Sequence, residues 1–260
     1  MEIRHEVLCS SKLSREEKVL ILADLHQDPQ PDSLPLWQSL RPTQIWIPGD
    51  FLEDGARYQE RHREETLALL SALARLCPVY LSLGNHETGE YGRHAPRGCV
   101  PTSEGENRFR SLIRTLEACR VTVLHNRAVK RGDLWIGGLT SGAGRMLSLD
   151  WLPLPGGEEE GQFRVLLCHH PEYYDAYLRP YALDLVVSGH AHGGQWRFFG
   201  RGVYAPGQGL FPRYTDGFYC ENKLLVTRGL CPPRRLPRWG NPLQTMVLHL
   251  IPGEGSEKKG

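Results

Sequence analysis

Gly189-His190-Ala191-His192-Gly193-Gly194-Gln195 follows the apolar, β-branched run Leu185-Val186-Val187-Ser188. The run reads as a buried strand, and the seven residues after it as the loop into which that strand opens. Two imidazoles at i and i+2 on such a loop can lean toward one point, while the flanking glycines allow backbone conformations and close approaches that a side chain would block. That is how a metal site is built, yet a single His-x-His is more often a pair of solvated loop histidines. The decision rests on how the other strands of the chain end.

They end in the same kind of group. Val19-Leu20-Ile21-Leu22-Ala23 reads as a central strand and runs into Asp24-Leu25-His26, again an i, i+2 pair. Alone, that pair would equally suit a helix-capping aspartate beside a chance histidine. Gln44-Ile45-Trp46-Ile47-Pro48 delivers Gly49-Asp50, followed by Glu53 and Asp54, and Val79-Tyr80-Leu81-Ser82-Leu83 opens into Gly84-Asn85-His86-Glu87. Phe163-Arg164-Val165-Leu166-Leu167-Cys168 ends in His169-His170-Pro171-Glu172. In an α/β sheet, sites form outside the carboxyl ends of the strands, so the repetition predicts one fold-level site.

The rest reads as scaffold. Leu67, Leu69, Leu70, Leu73 and Leu76 recur at helical spacing within residues 57–76, and Phe109, Leu112, Ile113 and Leu116 mark a second helix around Asn107 to Cys119. Short strands are expected at Val121–Leu124, Ala128–Lys130 and Leu134–Leu139, the last two joined by a hairpin at Arg131-Gly132-Asp133. Gln195–Phe199, Leu224–Thr227 and Thr245–Leu250 imply a second β layer. Residues 88–105 read as a loop placed to shape substrate access, and residues 141–161 as a mobile surface segment. One domain over 1–260 is expected, with its core at about 18–251 between polar N- and C-terminal tails.

A chain of 260 residues with 40% hydrophobic content can bury a sizeable core. A net charge of +1 provides no global field for nucleic acid, and the excess of arginine over lysine is as readily codon bias as phosphate recognition. Seven cysteines, an odd number without a Cys-x-x-Cys pair, suit reduced thiols and a cytoplasmic protein. No run reaches the roughly 18 apolar residues of a membrane span, and no apolar export segment follows the charged start Met1-Glu2-Ile3-Arg4.

Asp24-Leu25-His26, Gly49-Asp50 with Glu53, Gly84-Asn85-His86-Glu87, His169 and Gly189-His190-Ala191-His192, in that order, resemble the calcineurin-like metallophosphoesterases. The resemblance runs from about residue 18 to 251. The Gly193-Gly194-Gln195 extension, His169-His170-Pro171, and Thr227-Arg228-Gly229-Leu230 with Asn241-Pro242 look like a bacterial phosphodiesterase subgroup, some of whose members act on diacylglucosamine nucleotides. Many members carry an N-terminal membrane helix that this sequence lacks, and Ala23 stands where Ser or Thr is usual.

The resemblance implies an α/β fold, a two-layer β-sandwich core flanked by helices (α/β/β/α). It also implies a hydrolase of phosphoesters, a phosphodiesterase, in which a hydroxide bridging two divalent ions attacks phosphorus. Asp50 would bridge, with Asp24, His26 and His192 completing one ion's ligands and Asn85, His169 and His190 the other's. His86 would be the acid for the leaving oxygen. Carboxylate, imidazole and amide oxygen together suit Mn²⁺, Fe or Zn²⁺. The expected partner is a small-molecule phosphoester, nucleotide- or lipid-linked, with peripheral contact to a membrane surface left open. His170 competes with His169 for the ligand role, and the His-x-Pro match favours His169. His62, His94 and His125 read as solvated surface. Trp196, Phe198, Phe199, Phe211 and Tyr214 are either core or an apolar lip for a lipid-like substrate. Two other functions compete: a non-catalytic metal-binding scaffold on the same fold, and an unrelated metallohydrolase with a different order of ligands.

Overall fold

The computed structural model describes residues 1–28, 30, 32–53, 60–88, 103–142, 149–157, 161–232 and 237–253. Alternation along the central strands builds its layers. Val19 and Ile21 of strand Glu17–Ile21 point one way, into a layer with Trp46, Val165, Leu167, Leu185 and Val187, whereas Leu20 and Leu22 point the other way, toward Ile45, Ile47, Leu70 and Leu73. A strand with apolar residues on both faces must be covered on both. The result is two six-stranded sheets packed face to face with helices outside, the α/β/β/α sandwich expected from the sequence.

The first sheet runs Glu2–Ser10, Gln244–Pro252, Glu17–Ile21, Gln44–Pro48, Val79–Ser82, Thr122–Val123. The second runs Gly217–Tyr219, Leu224–Val226, Leu185–Ser188, Phe163–Cys168, Leu134–Leu139, Arg127–Arg131. Glu17–Ile21, Gln44–Pro48 and Val79–Ser82 are mutually parallel, as are Leu134–Leu139, Phe163–Cys168, Leu185–Ser188 and Leu224–Val226. Helices Glu60–Leu76 and Ser103–Ala118 cover the first sheet through Leu69, Leu70, Leu73, Phe109, Leu112 and Leu116. Over the second sheet, Tyr174 and Leu178 of the π-helical turn Tyr174–Leu178 pack on Leu166, Val186, Leu224 and Val226. Each such fully buried side chain contributes about 1.5–3 kcal/mol.

Two expectations need correcting. The polar N-terminal tail is in fact a nine-residue strand, Glu2–Ser10, paired in parallel with Gln244–Pro252. As the edge of the sheet it is exposed on alternate residues, so polar composition does not prevent pairing, and its partner lies more than 240 residues away in sequence. Between His26 and the next strand lies the helix Ser33–Ser39, which tolerates Pro35 because it falls in the first turn; Trp37 anchors it, with Nε1 donating to Thr245 Oγ1 at 2.9 Å. The strand expected at Gln195–Phe199 shrinks to Arg197–Phe198, paired with Arg201–Gly202 in a small ribbon. The hairpin at Arg131-Gly132-Asp133 forms as expected. Most of the expected access loop, including His94, and most of the expected surface segment 141–161's Gly-rich first half lie outside the described residues.

Candidate metal centre

Because the central strands of each sheet run parallel, their C-terminal turns supply the polar residues that the sequence singled out. Asp24 and His26 follow Glu17–Ile21, Asp50 follows Gln44–Pro48, Asn85 and His86 follow Val79–Ser82, His169 follows Phe163–Cys168, and His190 and His192 follow Leu185–Ser188. Asp24, His26, Asp50, His190 and His192 all sit at φ between 46° and 65°, the left-handed region that costs an L-residue ~1–2 kcal/mol. The turns are tied to one another: Asp24 N donates to Gly49 O at 3.2 Å, His26 N to Asp50 O at 2.9 Å and Gln27 N to Phe51 O at 3.0 Å.

The ligand atoms form two sets that share one carboxylate. In one, Asp24, His26 and Asp50 bring donor atoms within 4.8 Å of one another; in the other, Asp50, His169 and His190 do. His169 Nε2 stands 3.0 Å from Asp50 Oδ2, and His26 Nε2 stands 3.7 Å from the same oxygen. His192 Nε2 is 3.3 Å from His26 Nε2 and 3.8 Å from Asp24 Oδ1. Asn85 starts a short helix whose flanking residues touch Asp50: His86 N donates to Asp50 Oδ1 at 2.8 Å, and a Cβ on Gly84 would lie 2.2 Å from that oxygen.

The unpaired atoms show what these residues fit. Asp24 Oδ2, Asp50 Oδ2, both side-chain atoms of Asn85 and His169 Nε2 are buried without a hydrogen-bond partner. Orphaned buried acceptors are costly unless something satisfies them. His169 Nδ1 donates to the carbonyl oxygen of Pro48 at 2.9 Å, which leaves Nε2 as the nitrogen aimed at a carboxylate oxygen. Two acceptors at that distance call for a proton or a cation between them. The donor set of imidazole, carboxylate and amide oxygen fits divalent metal ions.

Electrostatics divide the imidazoles. Burial would lower His169, but Asp50 and Asp24 outweigh it and hold it up at about 10; burial would raise Asp50, but His169, His26 and His86 hold it well below the usual carboxylate range. Burial pushes His190 well below its ordinary value, helped by His170 and His169, and drives His192 down to about 4 against the pull of Asp24. Neutral imidazole is the ligating form.

Three residues that the sequence motifs include without a role prove to support the centre. Glu53 places Oε1 2.8 Å from His26 Nδ1 and Oε2 2.5 Å from His86 Nδ1, so one carboxylate fixes the tautomer of both rings. Burial acts to raise it, but the two histidines bring it down to about 2. Glu87 accepts from Asp50 N, Phe51 N, Leu52 N and Gly84 N, gathering two strand-end turns; burial and then Asp50 raise it to about 7. Asn241 Nδ2 donates to His192 O at 2.7 Å and Gln195 O at 3.0 Å, and a Cβ on Gly193 would lie 2.3 Å from Asn241 Oδ1, which accounts for the first glycine of the Gly-Gly-Gln turn. All three positions fall in motifs quoted from the sequence, but their partners follow from long-range packing and could not be read there.

The remaining candidates separate clearly. His170 turns away from Asp50, with Nε2 2.6 Å from Ser141 Oγ and Nδ1 3.2 Å from Glu172 Oε1. His62 and His125 are exposed. Of the aromatics after the Gly-Gly-Gln turn, Tyr214 is core, whereas Phe198, Phe199 and Phe211 are exposed. The described cysteines, Cys9, Cys77, Cys119, Cys168, Cys220 and Cys231, are free thiols, and no described helix is long and apolar enough to cross a membrane.

Comparison with known proteins agrees with this geometry. Phosphodiesterase YaeI of Escherichia coli (strain K12) is 26% identical over 252 residues, covering 88% of this chain and 80% of that protein. An uncharacterized metallophosphoesterase, YkuE of Bacillus subtilis (strain 168), is 30% identical over 208 residues, covering 73% of this chain and 61% of that protein. A dimetal phosphatase from Danio rerio superposes with a TM-score of 0.41 at 14% identity over 89% of this chain and 86% of its own, too loosely to carry an argument about function. The family model described as calcineurin-like phosphoesterase matches residues 17–194, which hold every residue of the two donor sets and more than half of the chain. The chain belongs to the calcineurin-like phosphoesterase family and is a metal-dependent hydrolase of phosphoesters.

Proposed function

We propose that the protein is a phosphodiesterase that works with two divalent ions. The observation that carries this reading is the sharing of Asp50 between the two donor sets. Asp24, His26 and His192 with Asp50 would hold one ion, and Asn85, His169 and His190 with Asp50 the other. Ions held there would offset charge on a phosphoryl group and make a water acidic enough to serve as the nucleophile.

The chain's own residues do the remaining work. His86 is more exposed than the other imidazoles of the cluster, its side chain 25% accessible, with Nε2 3.9 Å from Asp50 Oδ2. Glu53 accepts the Nδ1 proton of His86, and a ring that carries a second proton on Nε2, beside Asp50, would be placed to give that proton to a leaving alkoxide. Glu87 and the left-handed turns fix the carboxylates before any ligand arrives, so little reorganisation is left to the reaction. Preference for diesters is supported by the name of the Escherichia coli relative.

The test is turnover of bis(p-nitrophenyl) phosphate and p-nitrophenyl phosphate before and after chelation. Chelation should abolish turnover of both, Mn²⁺ or Zn²⁺ should restore it, and the diester should give the higher kcat/KM. Full activity in a demonstrably metal-free sample would refute the metal reading, and a preference for the monoester would refute the diester reading.

A further inference from the structure

The segment after strand Leu224–Val226 crosses from the second sheet to the end of the first. Three hydrogen bonds at its backbone fix its path: Leu230 N donates to Ala23 O at 3.0 Å, and the side chains of Gln30, through Nε2, and Arg238, through Nη1, donate to Leu230 O at 2.6 Å and to Cys231 O at 3.1 Å. Gly229, at φ 71°, lies flat against Asp24, and a Cβ there would come within 2.4 Å of Asp24 Oδ2. This crossing brings Cys231 to the metal cluster. Its sulfur and one ring nitrogen each of His26 and His192 lie within 4.8 Å of one another.

Neither the family match, which ends at residue 194, nor the five motifs include this thiol. Cys231 is a half-buried free cysteine whose Sγ has a weak bond to Pro232 O at 3.4 Å. A cysteine alone would mean little. Here it joins two imidazoles beside Asp24, a carboxylate with 0% exposure whose Oδ2 has no hydrogen-bond partner and so independently points to a cation at this place.

We propose that Cys231 is a further ligand of the ion held by Asp24, His26 and His192, making that position a sulfur-containing site that favours Zn²⁺ or another thiophilic ion over Mn²⁺. The proposal rests on the metal-site reading above. Imidazole with thiolate is a donor set for zinc, whereas Mn²⁺ is served by carboxylate and carbonyl oxygen. Formation of the metal–sulfur bond breaks the S–H bond, and the proton passes to water. The two ion positions would then differ chemically, one with sulfur and the other with an amide oxygen from Asn85.

The experiment uses the full chain, stripped and reloaded with Co²⁺ or Zn²⁺. Wild type loaded with Co²⁺ should show a near-ultraviolet thiolate-to-cobalt charge-transfer band. X-ray absorption of the Zn²⁺ form should show a sulfur scatterer at about 2.3 Å. Cys231→Ser and Cys231→Ala should lose both signals and favour Zn²⁺ over Mn²⁺ roughly 10- to 100-fold less. Cys220→Ser, which removes another half-buried thiol, should keep them. Bound cobalt with visible nitrogen and oxygen ligand-field bands but no charge-transfer band overturns the assignment of Cys231 and leaves the metal site intact. Sulfur signals that persist in Cys231→Ser overturn it as well. Wild-type protein that binds neither ion overturns the metal-site reading, and the Cys231 assignment with it.

Discussion

Replacing Glu53 by glutamine removes the carboxylate that joins two histidines of the centre. Glu53 is 5% exposed, with one oxygen 2.8 Å from His26 Nδ1 and the other 2.5 Å from His86 Nδ1. A glutamine can accept from one ring but turns an N–H₂ toward the other, setting donor against donor. The two histidines lower the Glu53 carboxyl from 4.5 to about 2, a shift worth about 3 kcal/mol at ~1.4 kcal/mol per pH unit. A lowered carboxyl stabilises the fold above the unfolded value of 4.5 and loses that contribution as pH falls toward 2. Linkage gives the course: by about pH 3.5 roughly 1.4 kcal/mol of it is gone. Urea denaturation in chelator isolates this interaction from metal binding. Wild type should exceed Glu53→Gln by up to about 3 kcal/mol at pH 7, and the gap should narrow by roughly half toward pH 3.5. Equal stabilities at pH 7, or a gap that does not change with pH, would refute the pairing. With metal present, the variant should bind ions ~10- to 100-fold more weakly, since both rings lose the acceptor that orients them.

Asp50→Asn removes the one oxygen donor shared by both sets and should cost metal stoichiometry as well as rate, more so than Glu53→Gln; equal metal content by elemental analysis in wild type and Asp50→Asn would count against the shared role. His86→Ala should keep its metal yet lose ~10²–10⁴-fold in kcat/KM on an alkyl diester, with a smaller loss on a nitrophenyl diester whose leaving oxygen scarcely needs a proton. Equal losses on both substrates would eliminate the acid role. Gly84→Ala puts a methyl 2.2 Å from Asp50 Oδ1 and 2.6 Å from Asp50 N, so it should lower Tm and metal content together, and unchanged values for both would show that this turn has room to give.

What was legible in the sequence follows from how far apart the interacting residues lie. Val19 to Leu22 and Leu185 to Ser188 announce central strands because burial on both faces requires a continuous apolar run, and that is a local property. The order of polar strand ends placed Asp24, His26, Asp50, Asn85, His86, His169, His190 and His192 together because parallel strands bring their C-terminal ends to one side. Glu2–Ser10 went unread because an edge strand can be polar, and the partner that makes it a strand is at the other end of the chain. Glu53 shows the same limit at the site: its position in the Gly-Asp motif was visible, but its grip on His26 and His86 arises only when two neighbouring turns are zipped together. Phe198 and Phe211 show the limit of composition, since an aromatic after a strand reads equally as core or surface, and here both are surface.

The backbone at the centre explains why the site needs both sheets behind it. Five of the donor residues hold left-handed backbone conformations that an isolated loop would leave, because each costs ~1–2 kcal/mol in a chain of L-residues. The first and second strand-end turns hold one another through the bonds from Asp24, His26 and Gln27 to Gly49, Asp50 and Phe51, and Glu87 draws the third turn in by taking Gly84 N together with three amides of the second. The turn after the second sheet's central strand is pinned across the sandwich, where His190 N donates to Asp24 Oδ1 at 3.0 Å. Strain at any one donor is therefore opposed by contacts from a different strand, and those strands are fixed by the apolar layers. Such a frame aims its lone pairs at a common point before a cation binds. A cation that binds there meets acceptors already desolvated and without partners, the buried oxygens of Asp24 and Asp50 among them.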